Sequence, residues 1–228
     1  MTEQTCILST KTLSTAQRRL FLEANLDLLE QDFIEIKTSA FELTNIHDNI
    51  IFSSQNAVLS VLENPNAEAL KSKNIFCVGM KTRDLLEQNG FKVAVYMDYA
   101  AELAEIITLI YNTESYTFFS GNLRKETLPQ ALKRAKIKLE EIEVYQTKLL
   151  PFKISKEEQV GSILFFSPSG VESYLKLNKI TSEMCFAIGN TTAQKLMQHK
   201  VKNIVIAYQP TVDSLIETAI NHFTATKS

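Results

Sequence analysis

The chain has 228 residues, of which 45% are hydrophobic and 22% are charged, and its formal net charge is −2. This length and composition are typical of a globular protein with one large or two small domains. The near-neutral charge argues against a broad nucleic-acid interface, and no apolar run reaches the roughly 18 residues of a membrane-spanning helix. The first residues lack the order of a signal peptide, so we expect a cytoplasmic protein.

The cysteines and histidines give no sign of a redox or metal centre. Cys6, Cys77 and Cys185 are widely spaced, and each lies in or beside an apolar, strand-like run. The three histidines share no ligand spacing with each other or with a cysteine. We therefore predict core thiols and no metal site.

Short apolar runs alternate with helical patterns along the chain. A strand followed by a helix is predicted over residues 6–29, and between most later strands apolar residues recur at helical spacing. Such alternation predicts βαβ units, and runs that are apolar on both faces indicate parallel sheets covered on both sides. The predicted strands are residues 6–10, 33–38, 50–54, 75–79, 93–96, 116–121, 143–147, 163–167, 185–189 and 204–208.

The chain contains an internal duplication with an offset near 110–113 residues. IIFSSQNAVLSVL (50–62) aligns with ILFFSPSGVESYL (163–175), and FCVGMKTRDLL (76–86) aligns with FAIGNTTAQKL (186–196). The first strand, CILSTKTLS (6–14), resembles TFFSGNLRK (117–125). One repeat of this size predicts two similar α/β domains and not a solenoid.

Two extended segments, residues 33–43 and 140–152, have alternating polarity and no helix after them. We interpret them as paired strands that cross between the domains. The prediction is a discontinuous first domain of residues 1–35 and 150–228, a second domain of residues 43–141, and hinge strands at 36–42 and 142–149. A cleft between two such domains is a common ligand site.

The polar turns of the repeat all follow strands and precede helices, which is the ligand-binding edge of an α/β sheet. Helix starts offer free N–H groups and suit anionic ligands, although each turn could also serve only as a helix cap. No phosphate-loop motif occurs, so a polycarboxylate and a phosphorylated ligand both remain open. The predicted binding residues are Thr10, Lys11, Ser53, Ser54, Lys81, Thr82, Ser120, Gly121, Asn122, Ser167, Ser169, Gly170, Gly189, Asn190 and Thr191.

Cationic side chains accompany these turns, but no common catalytic apparatus does. Each cation alone could be a solvated surface charge, and the informative feature is that several lie on or just after these turns. They are Lys11, Lys81, Arg83, Arg124 and Lys125. Tyr145 lies in the second crossing strand, where its phenol could face the cleft or be a half-buried strand side chain.

Together these features resemble the uroporphyrinogen-III synthase family over nearly the whole chain. The resemblance rests on the order and spacing of several motifs and not on any single one. The segments are IIFSSQNAV (50–58), CVGMKTRDLLEQNGF (77–91), FFSGNLRKETLPQAL (118–132), VYQT (144–147), LFFSPSGVESYL (164–175), FAIGNTTAQKL (186–196) and QPTVDSLIETAI (209–220).

The resemblance implies two α/β domains joined by a two-stranded ladder and an enzyme of tetrapyrrole (haem) biosynthesis. Its substrate would be hydroxymethylbilane, cyclised to uroporphyrinogen III with loss of water and inversion of ring D through a spiro intermediate. It implies no metal and no organic cofactor. Tyr145 falls on the family's usual candidate for the general acid and Thr192 on the threonine of its second glycine turn, and these two are the predicted catalytic residues. Ser54, Thr82, Ser167 and Ser169 fall on other polar cleft positions.

Two positions depart from the family pattern. Family members usually have a T-R-P stretch near the start, whereas this chain has Thr10-Lys11-Thr12. A lysine cannot bind a carboxylate bidentately as an arginine does. Gln55 follows Ser54 where proline or arginine is frequent. We give both less weight as ligands.

Three functions remain in play from the sequence. The first is the cyclising synthase, a hydro-lyase, acting as a monomer that could receive substrate by transient hand-over from hydroxymethylbilane synthase. The second is a non-catalytic two-domain binding protein for a small polycarboxylate or phosphorylated ligand. The third is a two-domain enzyme acting on a sugar or nucleotide.

Overall fold

The computed structural model describes residues 6–225, which form eleven strands and eight α-helices within that range. The strands are β1 (Cys6–Ser9), β2 (Leu28–Glu30), β3 (Ile34–Thr38), β4 (Asn49–Phe52), β5 (Asn74–Val78), β6 (Val93–Met97), β7 (Ser115–Gly121), β8 (Lys138–Leu149), β9 (Val160–Phe165), β10 (Met184–Ala187) and β11 (Ile204–Ile206). The helices are α1 (Thr15–Glu23), α2 (Gln55–Leu62), α3 (Met80–Gln88), α4 (Ala100–Ile110), α5 (Thr127–Arg134), α6 (Pro168–Leu177), α7 (Asn190–Gln198) and α8 (Val212–Ala225).

The chain divides into two compact units. Unit 1 comprises the residues up to Glu35 and those from Lys148 onward, and unit 2 comprises Ile36–Thr147. The five-stranded sheet has the order β11-β10-β9-β1-β2, and the six-stranded sheet has the order β3-β8-β7-β4-β5-β6. The role of residues 36–42 and 142–149 as a hinge remains a prediction.

The topology confirms the predicted fold class of two similar parallel-sheet α/β domains. The order β2-β1-β9-β10-β11 in unit 1 matches β8-β7-β4-β5-β6 in unit 2, so every strand except β3 has a counterpart. In both units the strands that correspond pair in parallel. The duplication seen in the sequence is therefore a duplication of the fold.

The prediction of one strand and one helix over residues 6–29 is wrong at its end. Helix α1 stops at Glu23, and Leu28–Glu30 forms β2, which pairs with β1 through the partners Ile7 and Leu28. The segment has three half-buried residues and no β-branched side chain, so it carries no strand signal of its own. Its strand conformation is imposed by the neighbouring β1.

Both faces of each sheet are covered by apolar side chains, as the strand patterns predict. In unit 2, Ile50 and Phe52 belong to one core cluster while the intervening Ile51 belongs to another. In unit 1, Leu164 and Ile163 divide in the same way. Alternate strand residues point to opposite faces, and full burial of each such side chain contributes about 1.5–3 kcal/mol.

The cysteines take the places expected of core thiols in two of three cases. Cys77 and Cys185 are buried, whereas Cys6 is only partly buried. Among residues 6–225, no helix combines the length and apolar character needed to cross a membrane.

Candidate functional site

The starts of helices α3 and α7 make the same backbone hydrogen bonds in the two units. The carbonyl of Gly79 accepts hydrogen bonds from the amides of Thr82 and Arg83, at 3.0 and 3.1 Å. The carbonyl of Gly189 accepts from the amides of Thr192 and Ala193, both at 3.1 Å. Each glycine therefore ends a strand and closes the first turn of a helix, and Thr82 and Thr192 are both buried beneath it.

The two glycines differ in conformation. Gly79 has φ +89°, in the left-handed region that favours glycine, whereas Gly189 is extended at φ −179°. Only the first turn therefore demands glycine on backbone grounds. At the second turn the amides of Asn190 and Thr191 make no hydrogen bond within the described range, so they are available to a ligand.

In unit 2 the structure brings three predicted residues together, Ser54, Gly121 and Tyr145. The phenol of Tyr145 donates to Ser54 Oγ at 3.2 Å, although the two residues are 91 positions apart. Ser54 Oγ also accepts from the amide of Asn56 at 3.1 Å, which caps helix α2. Ser54 thus accepts twice, and its own proton is left for another acceptor.

Gly121 allows the ring of Tyr145 to occupy this position. The two residues face each other across β7 and β8, beside an irregularity in the strand register. A Cβ atom at position 121 would lie only 2.4 Å from Cζ of Tyr145, well inside van der Waals contact. The glycine is needed here for close approach of a neighbouring ring.

The next residue, Asn122, fixes the chain beyond Tyr145. Its Oδ1 accepts from the amide of Thr147 at 2.8 Å, and its Nδ2 donates to the carbonyl of Thr147 at 3.3 Å. The amide of Asn122 in turn donates to the carbonyl of Tyr145 at 3.3 Å. Asn122 is therefore a structural clamp on β8, and its side chain is already occupied.

In unit 1 a second set of predicted residues comes together at the ends of β1 and β9. Thr10 is buried, and its Oγ1 donates to the carbonyl of Leu164 at 2.7 Å. Ser167 Oγ accepts from the amide of Gly170 at 3.0 Å and lies 3.0 Å from Ser169 Oγ. A Cβ atom on Gly170 would lie 3.4 Å from Ser167 Oγ and 3.7 Å from Thr10 Oγ1, so these groups surround one point.

Backbone amides in the turn after β1 donate to the protein's own carboxylates. Asp32 accepts from the amide of Thr12 at 2.7 Å and from its hydroxyl at 2.8 Å. Glu30 accepts from the amide of Leu13 at 2.6 Å and pairs with Arg18. No sequence pattern indicates these contacts, and they remove two amide donors from the turn that precedes α1.

Two of the five predicted cations are already neutralised. Arg83 pairs with Asp84, with Nη2 2.8 Å from the carboxylate, and its guanidinium lies 4.9 Å from the ring centre of Tyr96. Arg124 pairs with both Glu126 and Glu141. These two arginines therefore stabilise local structure through ion pairs with the protein's own carboxylates.

The remaining predicted residues do not join either cluster. Ser53, Lys81, Asn190 and Thr191 are exposed, and so is Lys11, whose carbonyl accepts from Ser9 Oγ. Ser120 is buried at the end of β7.

The chemistry available at these strand ends is that of neutral donors. Hydroxyls, helix-start amides and one phenol are present, which suits anion binding and proton donation. Within residues 6–225, no group of three or more His, Cys, Asp or Glu side chains is placed to hold a metal ion.

The sequence of this chain is similar to those of known proteins. A family model described as uroporphyrinogen-III synthase HemD matches residues 20–217. A curated uroporphyrinogen-III synthase from Saccharomyces cerevisiae is 25% identical over 221 residues, which cover 82% of this chain and 80% of that protein.

Two solved structures have the same fold. The uroporphyrinogen-III synthetase of Helicobacter pylori has a TM-score of 0.70 at 21% identity, covering 96% of this chain and 99% of that one. The wild-type uroporphyrinogen III synthase of Thermus thermophilus has a TM-score of 0.60 at 15% identity, covering 98% and 100%. At such low identity these two structures establish similarity of fold alone.

Proposed function

The chain belongs to the uroporphyrinogen-III synthase family, and from that premise we propose that it converts hydroxymethylbilane to uroporphyrinogen III. The reaction releases one water, closes the macrocycle and inverts ring D. The observation that carries the proposal is the family match over residues 20–217, which includes both polar clusters except for Thr10. In this role the protein is an enzyme of haem biosynthesis.

Tyr145 is the proposed general acid. The terminal hydroxyl of the substrate leaves as water when the C–O bond breaks and the phenol supplies a proton, leaving an azafulvene cation. In the structure the phenolic proton points to Ser54 Oγ, so the substrate hydroxyl would replace Ser54 as acceptor. Ser54, freed of one donor, keeps its cap on helix α2 and holds the ring position.

The cyclisation itself needs positioning more than a nucleophile. The substituted carbon of ring D attacks the cation to give a spiro intermediate, which fragments and recloses with ring D inverted. The eight carboxylates of the substrate would bind to helix-start amides and hydroxyls in each unit, including those of Asn190, Thr191 and Ser169. Fixing a flexible chain in one geometry supplies a large share of catalysis in such cases.

The finer parts of the proposal are the hydro-lyase class, a cytoplasmic location, a monomeric state and transient hand-over from hydroxymethylbilane synthase. The support for a lyase is the loss of water without a co-substrate.

The direct test supplies freshly made hydroxymethylbilane and separates the product isomers after oxidation to porphyrins. We expect isomer III to predominate, because the free substrate closes to isomer I without inversion. A reaction without protein serves as the control. If only isomer I accumulates at the uncatalysed rate although the bilane binds, the chain is a binding protein and not a synthase.

A further inference from the structure

A concave pocket lies in unit 1 at the amino-terminal ends of its strands. Its volume is about 600 Å³, and its wall includes the end of α6 and the segments before β9 and β10. The proposed synthase residues of this unit lie at the opposite ends of the same strands. Because β9 has six residues, the two edges are separated by about 17 Å.

The pocket is lined by four lysines, Lys153, Lys156, Lys176 and Lys179, and by one carboxylate, Glu183. Four positive charges and one negative charge leave a net charge of +3. No carboxylate of the described chain pairs with the last three of these lysines. The carboxylate is held by its own loop, accepting from the amides of Thr181 and Ser182 at 2.5 and 2.9 Å.

A largely buried tyrosine also lines this pocket. Tyr174 is 3% exposed, and its hydroxyl makes no hydrogen bond within residues 6–225. The hydroxyl oxygen is not fully enclosed by protein, so it is open to the pocket and can donate to a ligand there. Burial raises the pKa of Tyr174, which keeps the phenol protonated and therefore a donor.

Comparison with unit 2 shows that the fold does not require the lysines and the phenol of this pocket. Asn178 Nδ2 donates to the carbonyl of Phe152 at 2.7 Å, and in unit 2 Asn64 Nδ2 donates to the carbonyl of Phe41 at 3.3 Å. A similar tie therefore follows the corresponding helix in each unit, one position apart in the alignment of the repeats.

The charges at this place nevertheless differ between the two units. From the alignment of the repeats, Glu63 and Asn66 stand where unit 1 has Lys176 and Lys179. Tyr174 has a valine, Val61, as its counterpart. Unit 1 thus carries two cations and a phenol at positions where unit 2 has none of these groups.

We propose that this lysine pocket binds a small ligand carrying at least two phosphate or carboxylate groups. Three ammonium groups without carboxylate partners would neutralise the anions, and the phenol of Tyr174 would donate to one of their oxygens. The volume falls within the roughly 300–1,000 Å³ usual for small-molecule sites. The site is separate from the proposed synthase residues, so its occupation and the reaction can be measured independently.

The test is calorimetric titration of the whole protein with pyrophosphate and, separately, citrate. The variant Lys176→Glu with Lys179→Asn introduces the residues of unit 2, and we expect it to weaken binding roughly tenfold or more. The matched control is Lys202→Glu with Lys200→Asn, which makes the same change in charge on the same unit outside the pocket. That control should bind nearly as the parent does.

Tyr174→Phe gives a second, uncharged test. It should weaken binding several-fold without lowering the melting temperature, because the hydroxyl has no protein partner to lose. Binding of pyrophosphate alone or citrate alone assigns the ligand to phosphates or carboxylates. The proposal is overturned if neither anion binds, or if the control pair weakens binding as much as the pocket pair.

Discussion

At the scale of single residues, the phenol of Tyr145 has a defined place because its strand neighbour has no side chain. The ring lies over Gly121, and the hydroxyl reaches Ser54 Oγ at 3.2 Å. Ser54 is in turn fixed as the cap of helix α2. A short strand-to-helix turn, a glycine and one strand of the sheet together set the direction of one hydroxyl.

Tyr145→Phe should lower kcat by a factor of about 100 while KM changes much less, since general acids typically contribute 10²–10⁴-fold. Steady-state assays of isomer III formation measure both constants. Tyr116→Phe is the matched control, because the buried Tyr116 of the same unit donates to the carbonyl of Tyr111 at 3.1 Å. That control should lose about 1 kcal/mol of stability and keep its kcat. An unchanged rate for Tyr145→Phe removes it as the acid.

Gly121→Ala should displace the ring of Tyr145, because the added methyl would lie 2.4 Å from Cζ. We expect turnover to fall at least as far as in Tyr145→Phe, with a stability loss of about 1–3 kcal/mol from overpacking. The check is a double-mutant cycle with Tyr145→Ala, in which the ring is already absent. Gly121→Ala should then have little further effect, and additive losses would contradict the proposed role of the glycine.

At the scale of elements, the first turn of α7 combines a buried hydroxyl with open amides. Thr192 is 1% exposed beneath the amides of Asn190 and Thr191. Thr192→Ala should reduce kcat/KM by roughly tenfold, the equivalent of one lost hydrogen bond. Thr192→Ser retains the hydroxyl and should restore most of the activity. Normal activity in the alanine variant would assign the threonine to local structure only.

The buried strands β5 and β10 make stability depend on pH through their thiols. Burial raises the pKa of Cys77 and of Cys185 from 9.0 to about 12. The folded state therefore keeps protons that the unfolded chain loses, so this stability is complete below pH 9 and disappears as the pH rises towards 12.

Urea unfolding at pH 8 and pH 10 should show this loss, on the order of 1 kcal/mol for each thiol. The variant with Cys77→Ala and Cys185→Ala should have a correspondingly smaller difference between the two pH values. Equal differences in parent and variant would mean that the thiols ionise alike in both states.

At the scale of the whole molecule, unit 2 is one continuous segment with its own apolar clusters. Residues 36–147 contain two of the core clusters in full, and 112 residues are enough for an independent core. The fragment should therefore fold alone, with cooperative urea unfolding followed by circular dichroism.

The control fragment, residues 43–141, follows the narrower domain limits that the sequence predicts. It lacks β3 and the buried Val144 on the second half of β8, so it should be markedly less stable. If the two fragments are equally stable, residues 36–42 and 142–147 contribute nothing to this unit and act only as connections.

The sequence by itself determined the duplication, the parallel α/β class and the polar turns, because these depend on local spacing. An apolar strand, a glycine and a capping hydroxyl are read from neighbouring residues, and the repeat at Gly79 and Gly189 places them twice. The strand β2 could have been inferred only from its counterpart β8, since its three residues have no pattern of their own.

Only the tertiary structure decided which polar groups meet and which are already occupied. Tyr145 donates to Ser54, which is 91 positions away in the chain, and Asp32 accepts from the amide of Thr12. Arg124 forms ion pairs with two glutamates. Spacing along the chain cannot report these contacts, because they arise from strand register and from side chains converging across a sheet edge. The open hydroxyl of Tyr174 is of the same kind, since its lack of a hydrogen bond within residues 6–225 appears only from the positions of its neighbours in space.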